Sequence, residues 1–295
     1  MIEEARIKKN KFGYYEVENK PSAEALASYY AEKYYQQDKG SYSSRYDEIE
    51  RKYIFNKIRQ KFFEASKFLK LGEDAGRLLE LGSGEGFTLK FFLEKGWDVL
   101  GMDFSAYGCE VHNPECLEKM TIGDIFANLS QLMSGDNKWD LIWLDNILEH
   151  VLEPEKMLAD VHSIMADNGV LVIEVPNDFS TIQSFLLENK YVSREYWVSI
   201  PDHLSYFNFE GLQNLCEAND YAVQSIIGDY PIELNLLKSA TNYVESPEIG
   251  KSCHQARIIT DNIMSDISLD LTLEYYRILA KMGMSRTLTA FLTSR

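Results

Sequence analysis

The segment Glu80-Leu81-Gly82-Ser83-Gly84-Glu85-Gly86 places a carboxylate two residues ahead of three glycines at alternate positions, directly after the apolar pair Leu78-Leu79. A short buried strand that runs into such a turn lets backbone lie against a bound nucleoside, because glycine admits conformations and approach distances closed to other residues. A second apolar run, Asp98-Val99-Leu100-Gly101-Met102, ends on Asp103. An ionised carboxylate accepts hydrogen bonds and can take two at once, which suits the paired hydroxyls of a ribose. Asp103 could equally cap a helix through Asp103-Phe104-Ser105, and the two roles are compatible. A dinucleotide fingerprint reads G-x-G-x-x-G, because a pyrophosphate sits on the helix N-terminus. Here the spacing is G-x-G-x-G and Glu80 makes the turn acidic, so the chemistry implied is a nucleoside cofactor bearing an amine and a positive charge.

Glu80 to Gly86 resembles the first signature motif of class I S-adenosylmethionine (SAM)-dependent methyltransferases, and Asp103 matches the acidic residue that ends their second strand. Ile122-Gly123-Asp124 resembles the segment whose acid meets the adenine. Trp139 to Val151 resembles the fourth-strand motif, and Asn168 to Asn177 the fifth. These five segments fall in the family's order, and the resemblance covers roughly residues 45 to 230. It implies SAM as cofactor, held by Glu80, Gly82, Ser83, Gly84 and Gly86 at the turn and by Asp103 and Phe104 at the ribose. Asp124 would accept from the adenine amino group with Ile125 or Phe126 against the ring, and Asp145 and Asn146 would line the methionine end. The implied fold is α/β: a Rossmann-like sheet of seven strands in the order 3-2-1-4-5-7-6 with strand seven antiparallel.

Methyl transfer is an in-line displacement in which positioning dominates and a base is needed only for the acceptor's proton. Two histidines are placed for that. His203 lies in Asp202-His203-Leu204-Ser205-Tyr206-Phe207-Asn208, which resembles the segment after strand five in small-molecule methyltransferases. His150 lies just past strand four with Glu149, and shares a face with Asn146 if that segment is helical. Imidazole titrates near neutrality, which suits a general base; either histidine could instead be structural. Tyr206, Tyr30 and Tyr34 are the expected acceptor contacts, since tyrosine offers an apolar face and a hydroxyl. His112, His162 and His254 read as structural. No metal ligand set is expected, because the four cysteines, at 109, 116, 216 and 253, show no metal spacing.

Apolar residues at three-to-five-residue steps predict a long helix over 44–70 that covers the sheet. Further helices are expected over 88–94, from Pro154 until Asn168-Gly169 stops it, and after the N-cap Asn208. Strands are expected at 77–81, from Trp97, at 121–122, 170–175 and 221–227, with the last at 287–292. Four parts follow: a Tyr-rich, helical N-terminal leader or lid over 1–43, a methyltransferase core over 44–231, a helical cap insertion over 232–283 crossing the carboxyl edge of the sheet, and the last strand within 284–295.

The net charge is −16, from 30 basic and 46 acidic residues, with no basic cluster. A phosphate-tracking surface needs clustered Lys and Arg, so nucleic acid is disfavoured. No apolar run approaches the ~20 residues of a membrane span and no signal peptide opens the chain, so a cytoplasmic protein is expected. Segments such as Gly250-Lys251-Ser252-Cys253-His254 and Met282-Gly283-Met284-Ser285-Arg286 resemble the tail of methyltransferases of bacterial surface-polysaccharide synthesis. That implies a small polar acceptor, a sugar or sugar nucleotide, and O-methylation. Two alternatives stay open: a quinone-type phenol or lipid acceptor, and a non-catalytic binding subunit. Oligomeric state is not legible.

Overall fold

In this computed structural model the described residues are 6–22, 24–26, 29, 45–71 and 75–295. Parallel strands buried on both faces are built from continuous apolar runs, and Leu141-Ile142-Trp143-Leu144 is fully buried as such a run must be. Strands β1 (Ile7–Lys9), β2 (Tyr15–Val17) and β8 (Ser205–Tyr206) form a small sheet. The large sheet holds seven strands: β3 (Arg77–Leu81), β4 (Asp98–Asp103), β5 (Met120–Ile122), β6 (Trp139–Asp145), β7 (Met165–Pro176), β9 (Tyr221–Ile227) and β10 (Thr287–Ser294). Their spatial order is β5-β4-β3-β6-β7-β10-β9, with β10 antiparallel to both neighbours and the β5-to-β7 pairs parallel. This is the order expected from the sequence, and the last strand begins at Thr287 as expected.

Nine helices among the described residues cover the two faces. On one lie α4 (Ile125–Met133), α5 (Pro154–Ile164) and α7 (Phe209–Ala218), packed on Leu79, Leu81, Ile142 and Leu171. On the other lie α1 (Glu48–Ala65), α2 (Phe87–Leu93), α3 (Tyr107–His112) and α9 (Leu269–Met282), around Trp143, Phe92 and Tyr276. The last two are α6 (Thr181–Glu188), after β7, and α8 (Gly250–Ile267). Helix α1 is shorter than the 44–70 expected, because a reciprocal cap between Asp47 and Glu50 starts it and Ser66 ends it.

The insertion is helical as expected, and its first part packs on the segment after β7, where Leu236 and Val244 meet Ile182 and Leu186 of α6. Helix α9 joins the apolar core beneath α1 and α2. Helix α8 lies along α1 through a buried polar seam: Gln60 Nε2 donates to Asp261 at 2.8 Å and to Ser265 at 2.7 Å, and Asn56 donates to Asn262 at 2.8 Å. Asn56 and Gln60 interrupt the apolar stripe of α1 because this seam needs partners, while Lys61 turns to Asp145 and Glu174 of the sheet and Glu64 to Arg277 of α9.

The described part of the leader is helical at residues 24–26 and 29, as expected, and adds a hairpin, β1 and β2, that the sequence did not reveal. Two further expectations are corrected. Helix α5 ends at Ile164, and Asn168-Gly169 lies inside β7, where the register against β6 shifts. Residues 146–150 form a turn instead of a helix, with Asn146 at φ 54°.

Candidate active site

The first parallel turn is held open by its glycines. Gly82, Gly84 and Gly86 have φ of 80°, 50° and 75°, a region that side chains strain to enter. A Cβ on Gly82 would lie 2.3 Å from Ile147 Cδ1. The Gly82 and Ser83 N–H groups donate to the Met102 carbonyl at 2.8 and 3.1 Å, which hangs the turn on β4. Asp103 completes the attachment: Oδ2 accepts from Gly84 N at 2.8 Å and Oδ1 from Ser105 N at 3.0 Å. Burial pushes its carboxyl up, and these backbone bonds pull it back. Each oxygen retains a second lone pair for a ribose hydroxyl. Asp103 does not cap a helix, since α3 starts at Tyr107.

Glu80 is buried at 4% exposure and its Oε2 has no hydrogen-bond partner. Burial raises its pKa well above the ordinary value, and the negative charges of Asp145 and Asp103 add to the rise. An unfilled acceptor in an acidic surround fits a cationic ligand group. Gly101, beside Glu80 in the β3–β4 register, is a positioning residue that strand periodicity alone does not reveal: a Cβ there would meet Ser83 Oγ at 2.3 Å and Leu89 Cδ1 at 2.7 Å.

Asp124 accepts from Ala127 N at 2.8 Å and so is the N-cap of α4. Ile125 behind it is buried in the core at 4% exposure, and Phe126, at 37%, is the ring on the surface. Phe104 packs partly against the core beneath the ribose side of the turn. Asp145, at the end of β6, is gripped by Lys61 Nζ at 2.6 Å, and the same ammonium meets Glu174 of β7 at 3.0 Å. Burial opposes the charge on Lys61, yet the two carboxylates outweigh it and hold its pKa above the ordinary value. Lys61 is a second residue that sequence reasoning missed. Its only signal is its place on the buried stripe of α1. Asn146 donates its N–H to the Glu174 carbonyl at 2.9 Å and is exposed.

Past β6 and β7 the two candidate bases come together. The rings of His150 and His203 meet edge to face with centroids 4.8 Å apart. Glu149 binds the second segment to the first, since its carbonyl accepts from Leu204 N at 2.8 Å and Ser205 N at 3.1 Å. His150 Nδ1 lies 2.7 Å from the Asp202 carbonyl oxygen, and Nε2 lies 3.7 Å from Glu149 Oε1. Glu149 itself is 1% exposed, with neither carboxylate oxygen hydrogen-bonded and a pKa raised well above the ordinary value by burial.

Tyr206 differs from its expected role. It is fully buried, and its hydroxyl donates to the His203 carbonyl at 3.0 Å, so it braces the histidine segment and has no surface for an acceptor. Tyr30 and Tyr34 lie outside the described residues. The aromatic stretch after β7 contains α6, whose N-terminus is a capping box between Ser180 and Gln183. His162 contacts Ser294 at 3.0 Å and His254 contacts Arg257 at 3.0 Å, both away from this site. All four cysteines are buried free thiols.

The chain is 27% identical over 112 residues to a ubiquinone biosynthesis O-methyltransferase of Pasteurella multocida, covering 34% of this chain and 46% of that protein. It thus spans less than half the length of that relative. An uncharacterized protein of Methanocaldococcus jannaschii is 28% identical over 167 residues, 56% of this chain and 68% of that one. The crystal structure of a SAM-dependent methyltransferase from Archaeoglobus fulgidus superposes with a TM-score of 0.51 at 17% identity, over 91% of this chain and 99% of that one, which shows a shared fold. The family model described as "Methyltransferase domain" matches residues 48–226, from the start of α1 to the end of β9, and by that match the chain belongs to the methyltransferase-domain family.

Proposed function

We propose that the protein transfers the methyl group of SAM to a hydroxyl of a small polar acceptor, a sugar or sugar nucleotide, at the junction of β6 and β7. The observation that carries this reading is the convergence of Glu149, His150 and His203 past β6 and β7, at the carboxyl edge of the sheet where the glycine turn follows β3. Bound at Glu80 to Gly86, Asp103 and the end of β6, SAM would supply a methyl carbon on a positively charged sulfur. What the chain must add is placement of the acceptor and an exit for its proton. His203 takes that proton, with His150 as the alternative, because both imidazoles stand where the segment after β7 crosses the mouth of the cleft.

The sugar acceptor is supported by the tail resemblance and by the polar character of this junction, with Glu149, Asp178 and Asp202 beside the histidines. A quinone-type phenol is the second reading, favoured by the similarity to the ubiquinone biosynthesis enzyme. A panel of sugar nucleotides and phenols, read by release of S-adenosylhomocysteine, separates the two. His203→Ala should lower turnover roughly 10²–10⁴-fold with SAM affinity near wild type, since general-base catalysis has that size. Full turnover in a folded His203→Ala protein would move the role to His150, and full turnover in both variants would refute a histidine base.

A further inference from the structure

We propose that the chain forms a two-fold dimer through the outer face of α9, which packs antiparallel against α9 of a second copy. Along that face Leu271, Tyr275, Ile278 and Met282 are 40–62% exposed. On the inner side of the same helix Leu273, Tyr276 and Leu279 are buried in the core. At 3.6 residues per turn the four exposed side chains fall within roughly 60° of one another. Helix α8 adds Ile259, Ile263 and Ile267, spaced by four, and Ile267 stands one turn before Leu271 across the corner at Ser268. These seven side chains expose on the order of 800 Å², more than the largest apolar patch of a typical monomer and equal to one partner's share of a standard interface.

The occupant follows from the spacing. A two-fold contact sets one surface against itself, so that residue i meets j and j meets i. The steps along the α9 stripe are four, three and four, which read the same from either end. With two copies antiparallel and their centres aligned, Leu271 meets Met282 and Tyr275 meets Ile278, each pair formed twice. A face shaped for an unrelated protein has no need of this symmetry.

Charge agrees with the same register. Asp270, Glu274 and Lys281 are exposed along one flank of the stripe, and Asp270 lies 3.6 Å from Lys67. The rotation that reverses the helix keeps this flank on the same side. Lys281 then lies opposite position 272, between Asp270 and Glu274 and about 3 Å along the axis from each. Opposite charges so placed fix the register and disfavour other partners. A lipid surface would call for a basic rim. Here the flank carries more acid than base, and the net charge is −16.

The test is sedimentation velocity of the full chain over a dilution series, with flotation of the same protein on phosphatidylcholine–phosphatidylglycerol vesicles. A concentration-dependent dimer is expected, with no flotation. Ile278→Asp should raise the dissociation constant at least about thirtyfold, the size of a central interface side chain. Lys281→Glu should raise it at least about tenfold, because the like charges meet twice across the axis. The triple variant Asp270→Lys, Glu274→Lys, Lys281→Glu exchanges the signs and should dimerise as wild type does. Circular dichroism should match wild type in each, since the altered side chains are exposed. A monomer at every concentration, flotation in place of dimerisation, or a folded Ile278→Asp or Lys281→Glu chain that dimerises like wild type would overturn the proposal. So would a triple variant that stays monomeric. None of these readouts depends on the methyl-transfer reading.

Discussion

Asp103 shows how one side chain can serve both the scaffold and the candidate site. Its two oxygens already hold Gly84 N and Ser105 N, so its loss would cost more than a ribose contact. Asp103→Ala should weaken SAM binding by about 1–3 kcal/mol, the size of a bond to a charged group. Calorimetry on a variant with unchanged circular dichroism checks this, and unaltered affinity would remove Asp103 from the site. Residues such as Asp103 were legible because a strand-ending acid after a glycine turn is a local pattern. Lys61 and Gly101 were not. A lysine on a helix reads as solvated until its carboxylate partners from two different strands are known, and Gly101 matters only because Ser83 packs on it. Tyr206 was read as an acceptor contact for a similar reason: sequence shows an aromatic beside a histidine but not which way the ring faces.

At the scale of elements, the N-terminal hairpin is the piece that sequence did not reveal. Strands of three residues carry too little alternation to be recognised, and the pairing that stabilises β2 comes from β8, nearly 200 residues later. In that pairing Tyr15 faces Tyr206, Glu16 faces Ser205, and Val17 N donates to the Leu204 carbonyl at 3.0 Å. Tyr14 adds a ring contact with Phe207 at 4.5 Å. The hairpin thus clamps the residues immediately after His203. Deleting residues 1–18 should lower turnover while leaving SAM affinity within about twofold, since the strand pairing and ring contacts of the described hairpin residues go to β8, Phe179 and Phe207. Equal losses in both, read by product release and calorimetry on the same protein, would contradict a clamp confined to the acceptor side. The strands of the large sheet were legible because their apolar runs and terminal glycines are local. The packing of α8 on α1 was not, because its polar seam breaks the periodicity that identifies a buried face.

Across the whole molecule, charge is distributed unevenly. Where β7 and β10 meet at the cleft edge, Arg286 lies 3.4 Å from Asp178 and 3.7 Å from Glu233, both fully buried. Burial outweighs the opposing pull of Arg286 and holds each carboxyl up at about 7. An unfolded carboxyl titrates near 4, so between about pH 4 and 7 the native state binds more protons than the unfolded one. Stability should therefore fall as pH rises through that window and level off above it. Thermal melts of wild type and Glu233→Gln from pH 5 to 8 check this, with the variant expected to show the flatter profile. A wild-type melting temperature no more pH-dependent than that of the variant would mean that Glu233 is ionised throughout. Among the described residues no helix is long and apolar enough to cross a membrane.

The position of β10 has a consequence for how the chain is made. This strand lies between β7 and β9 in space, yet it leaves the ribosome after both, and β9 ends 60 residues before β10 begins. Until it arrives, β7 and β9 each present a row of unpaired backbone groups, the kind of edge that draws in other chains. The nascent protein can pair β3 to β6 early. The junction of β7 and β9 waits on a strand from far down the message, so newly made chains pass through an interval in which they are most exposed to aggregation and most dependent on chaperones.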